Sequence, residues 1–598
     1  MRQTSEPVVG AHDGPNAGLG LSGAGLGTPR RGRCGPSPRC RRLVGRLAQP
    51  YPSPSYQNER SRLSITTAGR ETNTNLFGDY THAAKNRTSD AITAVAADDR
   101  ATAQVNWLSA VASLAQNVRP DLAASVSAYL GVEPSGNNPL ADLSIGELGV
   151  VYEAILALSD HHSRKAEGQY FTPDDVAEFM ASHLASYEPG VWIDPCCGVG
   201  NLAWHLIANS DEDARGEFLR GRLILVDRDP VALRTAVALL CLTFADLGDE
   251  DAVAALAEHS IVSDFLRDTP LPPYDFAIFN PPYARSSDYD SYRTAATRDL
   301  YALFMEKISA TTAGFISITP SSYLSGTKYA PVRQVLKELN GGRVYVFDNV
   351  PDTCFRGFKY GSSNTSKTNF VRAAITVVSP KDKRWLITPI LRWASRSRSK
   401  TFKNAWRWLT PLKVSPDGTW AKVMPGFEDL WDVAVSAPKL RELTQHHPSP
   451  WRLEVASTPR YYISASTRDL DRSSKHVLFF TSEEARDRGY LALNSSMAYW
   501  WWRTTDGGIS LSKRTLLSVP VLTAPEEAPA HLIEKLRQSD IADVVVKLNS
   551  GRLNENVKRS RELIAEVDRA VFGENHPDFS SVYAADMFAE TEGSNLVH

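Results

Sequence analysis

The sequence predicts an α/β protein built on a mostly parallel sheet with helices on both faces, preceded by a helical region and followed by a C-terminal region of mixed α/β character. Three observations predict it. Between about 165 and 380, β-rich runs alternate with helical stretches. The chemically distinctive motifs fall at the ends of those runs, where ligands bind in open parallel sheets. Finally, 598 residues at 42% hydrophobic content exceed one core and suggest about three or four folded units of ~150 residues each.

Residues 1 to about 65 are rich in Gly, Pro, Ser and Arg, as in Arg39-Cys40-Arg41-Arg42. Such a segment buries too little apolar surface to offset its ordering entropy, so it reads as a disordered low-complexity extension. From about 66 to 160 the pattern is helical: Trp107, Val111, Leu114 and Val118 share one face, and Leu148, Val151, Tyr152, Ile155 and Leu156 form a second stripe. Stripes of this kind are read as packing. The β-rich runs are then Val191-Trp192-Ile193, Leu223-Ile224-Leu225-Val226, Phe276 to Phe279, Gly314 to Ile318, Val344 to Phe347 and Ala373 to Val378.

Past about 385 the composition changes: between Arg384 and Lys413 lie eight Arg or Lys residues and no acid, interleaved with Trp393, Phe402, Trp406 and Trp408. A phosphate-tracking groove needs that combination, and a solvated face with structural tryptophans presents it equally well. The stretch from about His531 to Phe572 reads as helical, with Leu532, Leu536, Ile541, Val544, Val545, Ile564 and Val567 as packing positions.

A net charge of −2 means that any nucleic-acid affinity comes from local basic surface. No apolar run reaches bilayer length and the N-terminus lacks the apolar core of a secretory signal, so a cytoplasmic protein with no membrane partner is expected. The six cysteines have no metal-ligand spacing with histidine and read as reduced thiols, and no metal site is expected.

The first run ends in Asp194-Pro195-Cys196-Cys197-Gly198-Val199-Gly200 and enters a helix. Gly198 and Gly200 permit a tight turn with the backbone open to a ligand, while Asp194 at the strand tip suits a cationic amino group. The second run ends at Asp227, placed to accept both hydroxyls of a ribose, and Asp229 before Pro230 reads as a helix cap. At a third end, Asp264 offers an acceptor for an exocyclic adenine amine and Phe265 a ring for its face. The fourth run leads into Asn280-Pro281-Pro282-Tyr283. There the Asn280 amide oxygen and the Pro281 carbonyl can accept from an NH2 group, Tyr283 can stack on the plane carrying it, and Pro281 and Pro282 stiffen the loop. Together these residues describe a nucleoside with a cationic tail beside a pocket for a planar amine, and S-adenosylmethionine fits the first part.

These motifs resemble the N6-adenine DNA methyltransferases of restriction–modification systems, type I and type IIG in character, in the order where the cofactor motif precedes the catalytic one. Glu167-Gly168-Gln169-Tyr170-Phe171-Thr172-Pro173 is similar to the segment that contacts the methionine part of the cofactor in that family, which implies this role for Tyr170 and Thr172. Asp299 to Phe304 and Ile318 to Leu324 are similar to the helix and the strand-turn that follow. Ala492 to Ser496, Trp500-Trp501-Trp502-Arg503, Asp506-Gly507-Gly508 and Leu516 to Pro520 resemble target-recognition domains. The chain departs from the family at Leu202, where an aromatic is frequent, and over 364–378, which matches poorly.

The resemblance implies a Rossmann-like methyltransferase domain at 161–385, a DNA target-recognition domain at 386–530 and a helical segment at 531–598. It implies that double-stranded DNA is the substrate, S-adenosylmethionine the methyl donor and a rotated-out adenine the acceptor. A separate restriction or specificity subunit is the further partner it allows. The first 160 residues hold a single lysine, Lys85, after His82-Ala83-Ala84, so a PD-(D/E)xK nuclease site is not expected. Two other readings compete: a methyltransferase acting on a protein glutamine or on RNA, and a catalytically silent DNA-binding subunit.

Overall fold

The computed structural model describes residues 82–589, apart from 160–171, 356–358, 361–362, 365–371, 460, 507, 524–528, 550–551 and 575. The low-complexity extension and most of the segment from Glu167 to Pro173 lie outside the described residues. No helix among the described residues is long and apolar enough to cross a membrane.

Four helices open the described chain: α1 (His82–Val95), α2 (Arg100–Val118), α3 (Ala123–Leu130) and α4 (Ile145–Ser159). Asp99 caps α2 by accepting from the Thr102 amide at 2.9 Å, and α3 stops at Gly131, whose φ of +71° suits glycine. Trp107, Val111 and Leu114 are fully buried, as their spacing predicts. These helices share one apolar core with the sheet-covering helices. The Trp107 indole N–H donates to Thr235 Oγ1 at 2.9 Å, and Arg119 donates to the carbonyls of Ala245 and Asp246, both at 2.9 Å.

The main sheet has nine strands: β1 (Trp192–Asp194), β2 (Leu223–Asp227), β3 (Ser260–Val262), β4 (Phe276–Phe279), β5 (Gly314–Pro320), β6 (Gly342–Phe347), β7 (Ala373–Val378), β8 (Trp385–Leu391) and β9 (Thr410–Pro411). Their spatial order is β9-β8-β6-β7-β5-β4-β1-β2-β3. From β3 across to β5 all pairs are parallel, β7 runs antiparallel between β5 and β6, and β9 closes the edge antiparallel to β8. The central strands are buried throughout and apolar except at Arg343 and Thr376, which is how a strand covered on both faces reads in sequence. The sheet continues past the compositional change near 385, because β8 pairs in parallel with β6.

Beyond the sheet, a second apolar core forms around a four-stranded antiparallel sheet (Thr444–Gln445, Arg452–Ala456, Ala465–Ser466 and Lys475–Phe480) and the helices α9 (Glu483–Asn494) and α10 (Ser496–Thr505). All three consecutive tryptophans of α10 are buried: Trp500 stacks on Phe427, Trp501 stacks on Trp431 and donates to Ser518 Oγ, and Trp502 lies under the Arg372 guanidinium. Packing thus claims the whole triplet, since α10 is enclosed on every side.

The stretch expected to be helical from His531 to Phe572 is corrected by the structure. Helix α11 (Ala530–Ala542) and helix α12 (Arg561–Phe572) are separated by a hairpin, β10 (Val544–Asn549) with β11 (Arg552–Val557). Val544-Val545-Val546 is a β-branched run, and such residues favour the pleated backbone over the helix. Leu532, Leu536 and Val567 are buried as expected, whereas Ile541 is 75% exposed.

Between the main sheet and α10 lies Asp348, which accepts from Arg372 Nε at 3.0 Å, Arg392 Nε at 3.2 Å and Arg503 Nη1 at 2.6 Å. All four side chains are buried, and the guanidinium groups hold the Asp348 carboxyl well below the usual carboxylate range against the opposing effect of burial. Removing one partner of such a group leaves uncompensated buried charge. Asp348→Ala should therefore lose about 3–5 kcal/mol of stability in urea or thermal unfolding; a change within about 0.5 kcal/mol, as for an ordinary surface substitution, would show that the cluster is not structural.

Candidate active site

The turn after β1 is shaped by its two glycines in different ways. Gly198 has φ +53° and an added Cβ would meet nothing, so its backbone borders open space. Gly200 has φ +90°, and a Cβ there would sit 3.0 Å from Ala236 Cβ. The first glycine leaves room for a ligand and the second lets α6 (Asn201–Ala208) pack against α7 (Pro230–Phe244).

Asp227 at the tip of β2 holds this turn, accepting from the Gly198 amide and from the Asp229 amide, each at 2.8 Å. Burial pushes its carboxyl up to about 6. Asp229 caps α7 through the Val231 and Ala232 amides, as its position before Pro230 predicts. At the tip of β1, Asp194 is 1% exposed; Oδ1 accepts from the Cys196 amide at 3.2 Å, and Oδ2 has no partner among the described residues. Burial raises its carboxyl well above the ordinary range.

Asn280 follows β4 directly. Its side-chain NH2 donates to Thr172 Oγ1 at 2.9 Å, and its backbone carbonyl accepts from Cys196 Sγ at 3.3 Å. Asn201 at the start of α6 donates to the Thr172 carbonyl at 2.6 Å, so Thr172 links the glycine turn to the Asn-Pro-Pro-Tyr loop. Pro281 is buried and Pro282 half-buried. Tyr283, also half-buried, donates to the Ile318 carbonyl at 3.2 Å and meets Tyr301 and Phe355 edge-on at 5.9–6.3 Å between centroids.

One cavity of about 840 Å³ joins these elements. Its lining includes Thr172, Asp194, Gly198, Asp227, Asp264, Phe265, Asn280 and Pro282; Gly200, Pro281 and Tyr283 lie behind or beside it, and Tyr170 falls outside the described residues. Asp264 is engaged already: Oδ2 accepts from the Tyr289 hydroxyl at 2.6 Å and Oδ1 from the Leu266 amide at 3.2 Å. The Phe265 ring is buried and stacked on Phe304 at 5.5 Å, with the Lys307 ammonium 4.9 Å from its centre, so only part of it borders the cavity.

Sequence reasoning missed the wall supplied by α2 and α4. Arg100, Gln104, Tyr152 and Glu153 all line the cavity. The Tyr152 hydroxyl donates to Asp229 Oδ2 at 2.7 Å, and Arg100 lies 3.6 Å from the same oxygen. Tyr152 sits within the stripe that its spacing assigns to packing, and no sequence signal separates its hydroxyl from that role. Asn201 was a findable miss, because a polar side chain directly after a glycine turn opens the helix beside the ligand space.

The cavity is open where the glycine turn needs space, and it offers acceptor oxygens on Asp194, Asn201 and Asp227. Asn201 is 6% exposed and its Oδ1 has no partner among the described residues, like Asp194 Oδ2. Buried acceptors without donors suit a ligand bearing an ammonium and hydroxyl groups, so the donor set of S-adenosylmethionine fits.

Residues 144–318 match the family described as N-6 DNA methylase. The type I restriction–modification methyltransferase subunit from Streptococcus thermophilus is similar at 15% identity and a TM-score of 0.29, covering 45% of this chain and 60% of its own. DrdV in complex with DNA is similar at 12% identity and 0.35, with 80% and 56% covered. The type IIG restriction endonuclease BpuSI is similar at 11% identity and 0.38, with 84% and 78% covered. The chain thus spans about three fifths of the first two of these proteins. No curated protein matches it. Residues 144–318, from α4 through the glycine turn and the Asn-Pro-Pro-Tyr loop into β5, are thus the part of the chain that is similar to the N-6 DNA methylase family.

Proposed function

We propose that this chain is a site-specific DNA methyltransferase that methylates N6 of an adenine turned out of the duplex, serving as the modification enzyme of a restriction–modification or other defence system. The observation that carries the reading is the single cavity joining the glycine turn after β1 to Asn280 and Pro282 after β4. S-adenosylmethionine, when bound, supplies an activated methyl group on a sulfonium. Asp194 accepts from the ammonium of its methionine part, with Thr172 nearby, and Asp227 accepts from the ribose hydroxyls. Asp264 and Phe265 border the adenine end.

An exocyclic amine is a weak nucleophile because its lone pair is delocalised into the ring. Acceptance of its two N–H bonds by the Asn280 amide oxygen and the Pro281 carbonyl favours a pyramidal nitrogen with a localised pair. The Thr172 hydroxyl takes one amide N–H of Asn280, which turns the amide oxygen away from Thr172. Tyr283 provides the stacking face. Unstacking the base costs a few kcal/mol, which contacts to the duplex must supply. Proton loss can follow transfer, so alignment and electrostatics account for most of the catalysis and no strong base is required.

Exposed cations on the segment after β8, namely Arg396, Lys400, Lys403 and Arg407, support contact with a phosphate backbone. The other cations of that stretch do not all contribute: Arg392 is buried on Asp348, and Arg398 is buried in an ion pair with Asp175. A separate restriction or specificity subunit is the partner such an enzyme would serve.

Asn280→Ala should abolish tritium transfer from labelled cofactor to duplex DNA while calorimetric cofactor affinity stays near wild type; full transfer in that variant would refute the assignment, and no transfer by the wild-type chain would favour a silent DNA-binding subunit. Thr172→Val should lower kcat by roughly 5- to 150-fold, the equivalent of about 1–3 kcal/mol for an unpaired polar group, and an unchanged rate would remove Thr172 from the catalytic arrangement. Because the Asp227 carboxyl is raised to about 6, its acceptor form prevails above that pH and is lost as pH falls through it. Cofactor affinity should therefore decline by about tenfold per pH unit below that point, and Asp227→Asn should bind weakly with no such step; a wild-type affinity flat between pH 5 and 8, on the order of that window, would contradict the ribose role.

A further inference from the structure

A second cavity, of about 20 Å³, lies where β8 meets α10 and the segment 581–584. It has room for one monatomic ion or one water. No carboxylate lines it, whereas Lys422, Arg392, Arg503 and Trp500 all do. Two of these donors lack a partner among the described residues: Lys422 Nζ on a side chain 2% exposed, and Trp500 Nε1 on one 1% exposed. Three nearby carbonyls are already engaged. The Ile390 carbonyl accepts from Arg503 at 2.9 Å, the Ala584 carbonyl from Arg392 at 3.4 Å and the Thr504 carbonyl from the Lys422 amide at 2.9 Å.

Charge points the same way. Asp348 is shared among Arg372, Arg392 and Arg503, so three guanidinium groups meet one carboxylate and Lys422 adds a further cation. Burial brings the Lys422 ammonium down to about 7, Asp506 opposes that shift, and Arg372, Arg503 and Arg333 reinforce it. Asp506 is occupied as well, accepting from the Gly508 amide at 2.6 Å and the Thr515 hydroxyl at 2.7 Å. A buried space with two unpartnered donors, no carboxylate and surplus positive charge suits an anion, because an unpaired buried donor is costly and an unpaired buried cation more so.

We propose that this cavity binds a single monatomic anion of the halide class, held by Lys422 Nζ and Trp500 Nε1 between the guanidinium groups of Arg392 and Arg503. The anion joins the main sheet to the C-terminal core, so its occupancy stabilises the whole chain by mass action. Thermal unfolding of the full chain in sodium chloride and in sodium gluconate at equal ionic strength reads this directly. The midpoint should rise saturably with chloride but not with gluconate. Trp500→Phe should move the chloride response to at least ~10-fold higher concentration, as expected for a lost charge-assisted hydrogen bond, and Lys422→Met should abolish it. Crystals of the wild-type protein soaked in sodium bromide should show an anomalous peak in the cavity. Superimposable chloride and gluconate curves, variants that keep the wild-type chloride response, or a water in place of the bromide peak would each overturn the proposal; if either variant fails to fold, the bromide result decides.

Discussion

The hydrogen-bond ladder of β1, with β2 on one side and β4 on the other, is the constraint from which the candidate site follows. Trp192 pairs with Leu223 and with Phe276, all in parallel, and neighbouring strands lie about 4.8 Å apart. Three stretches far apart in sequence are thereby brought to one edge with their carboxyl ends pointing the same way. Asp194 and Asp227 are the last residues of their strands, and Asn280 is the first beyond its own. A shift of one residue in either pairing would turn these side chains to the opposite face of the sheet.

Around that edge, a few close contacts set the walls. The approach of Gly200 to Ala236 seats α6 against α7, and Tyr152 joins the opening helices to the cap of α7 through Asp229. The helices that precede the sheet are thus part of the cavity rather than an appendage to it. Thr172 carries out the corresponding joining on the other side, with its carbonyl bound to Asn201 and its hydroxyl to Asn280.

Much of this is legible in the sequence because it depends on local patterns. Aliphatic and β-branched runs define β1, β2 and β4 to β7, and Asp194, Asp227 and Asn280 stand at their ends as the alternation predicts. Choice of partner is what the sequence withholds. Asn280 meets Thr172 across 108 residues, and Arg398 meets Asp175 across 223, separations at which no spacing rule operates. The basic stretch shows its charges but conceals that Arg392 and Arg398 are consumed internally. Helical spacing of Leu532 and Leu536 likewise carries the eye past Val544-Val545-Val546, where β-branching ends the helix in favour of a hairpin. The tryptophan triplet misleads for another reason: periodicity assigns faces to a helix with one exposed side, and α10 has none.

The grip of Arg392 and Arg503 on Asp348 bears on how such a chain could be rebuilt. A fragment ending near 385 would keep Asp348 and Arg372 while shedding the other two guanidinium groups, and it would also tear β8 from its place beside β6. The C-terminal half is therefore no detachable cassette. Grafting a foreign C-terminal region onto this scaffold would have to import the arginines that reach Asp348 from beyond the junction, and a junction drawn after β9 keeps Arg392 and respects the sheet better than one drawn where the composition shifts.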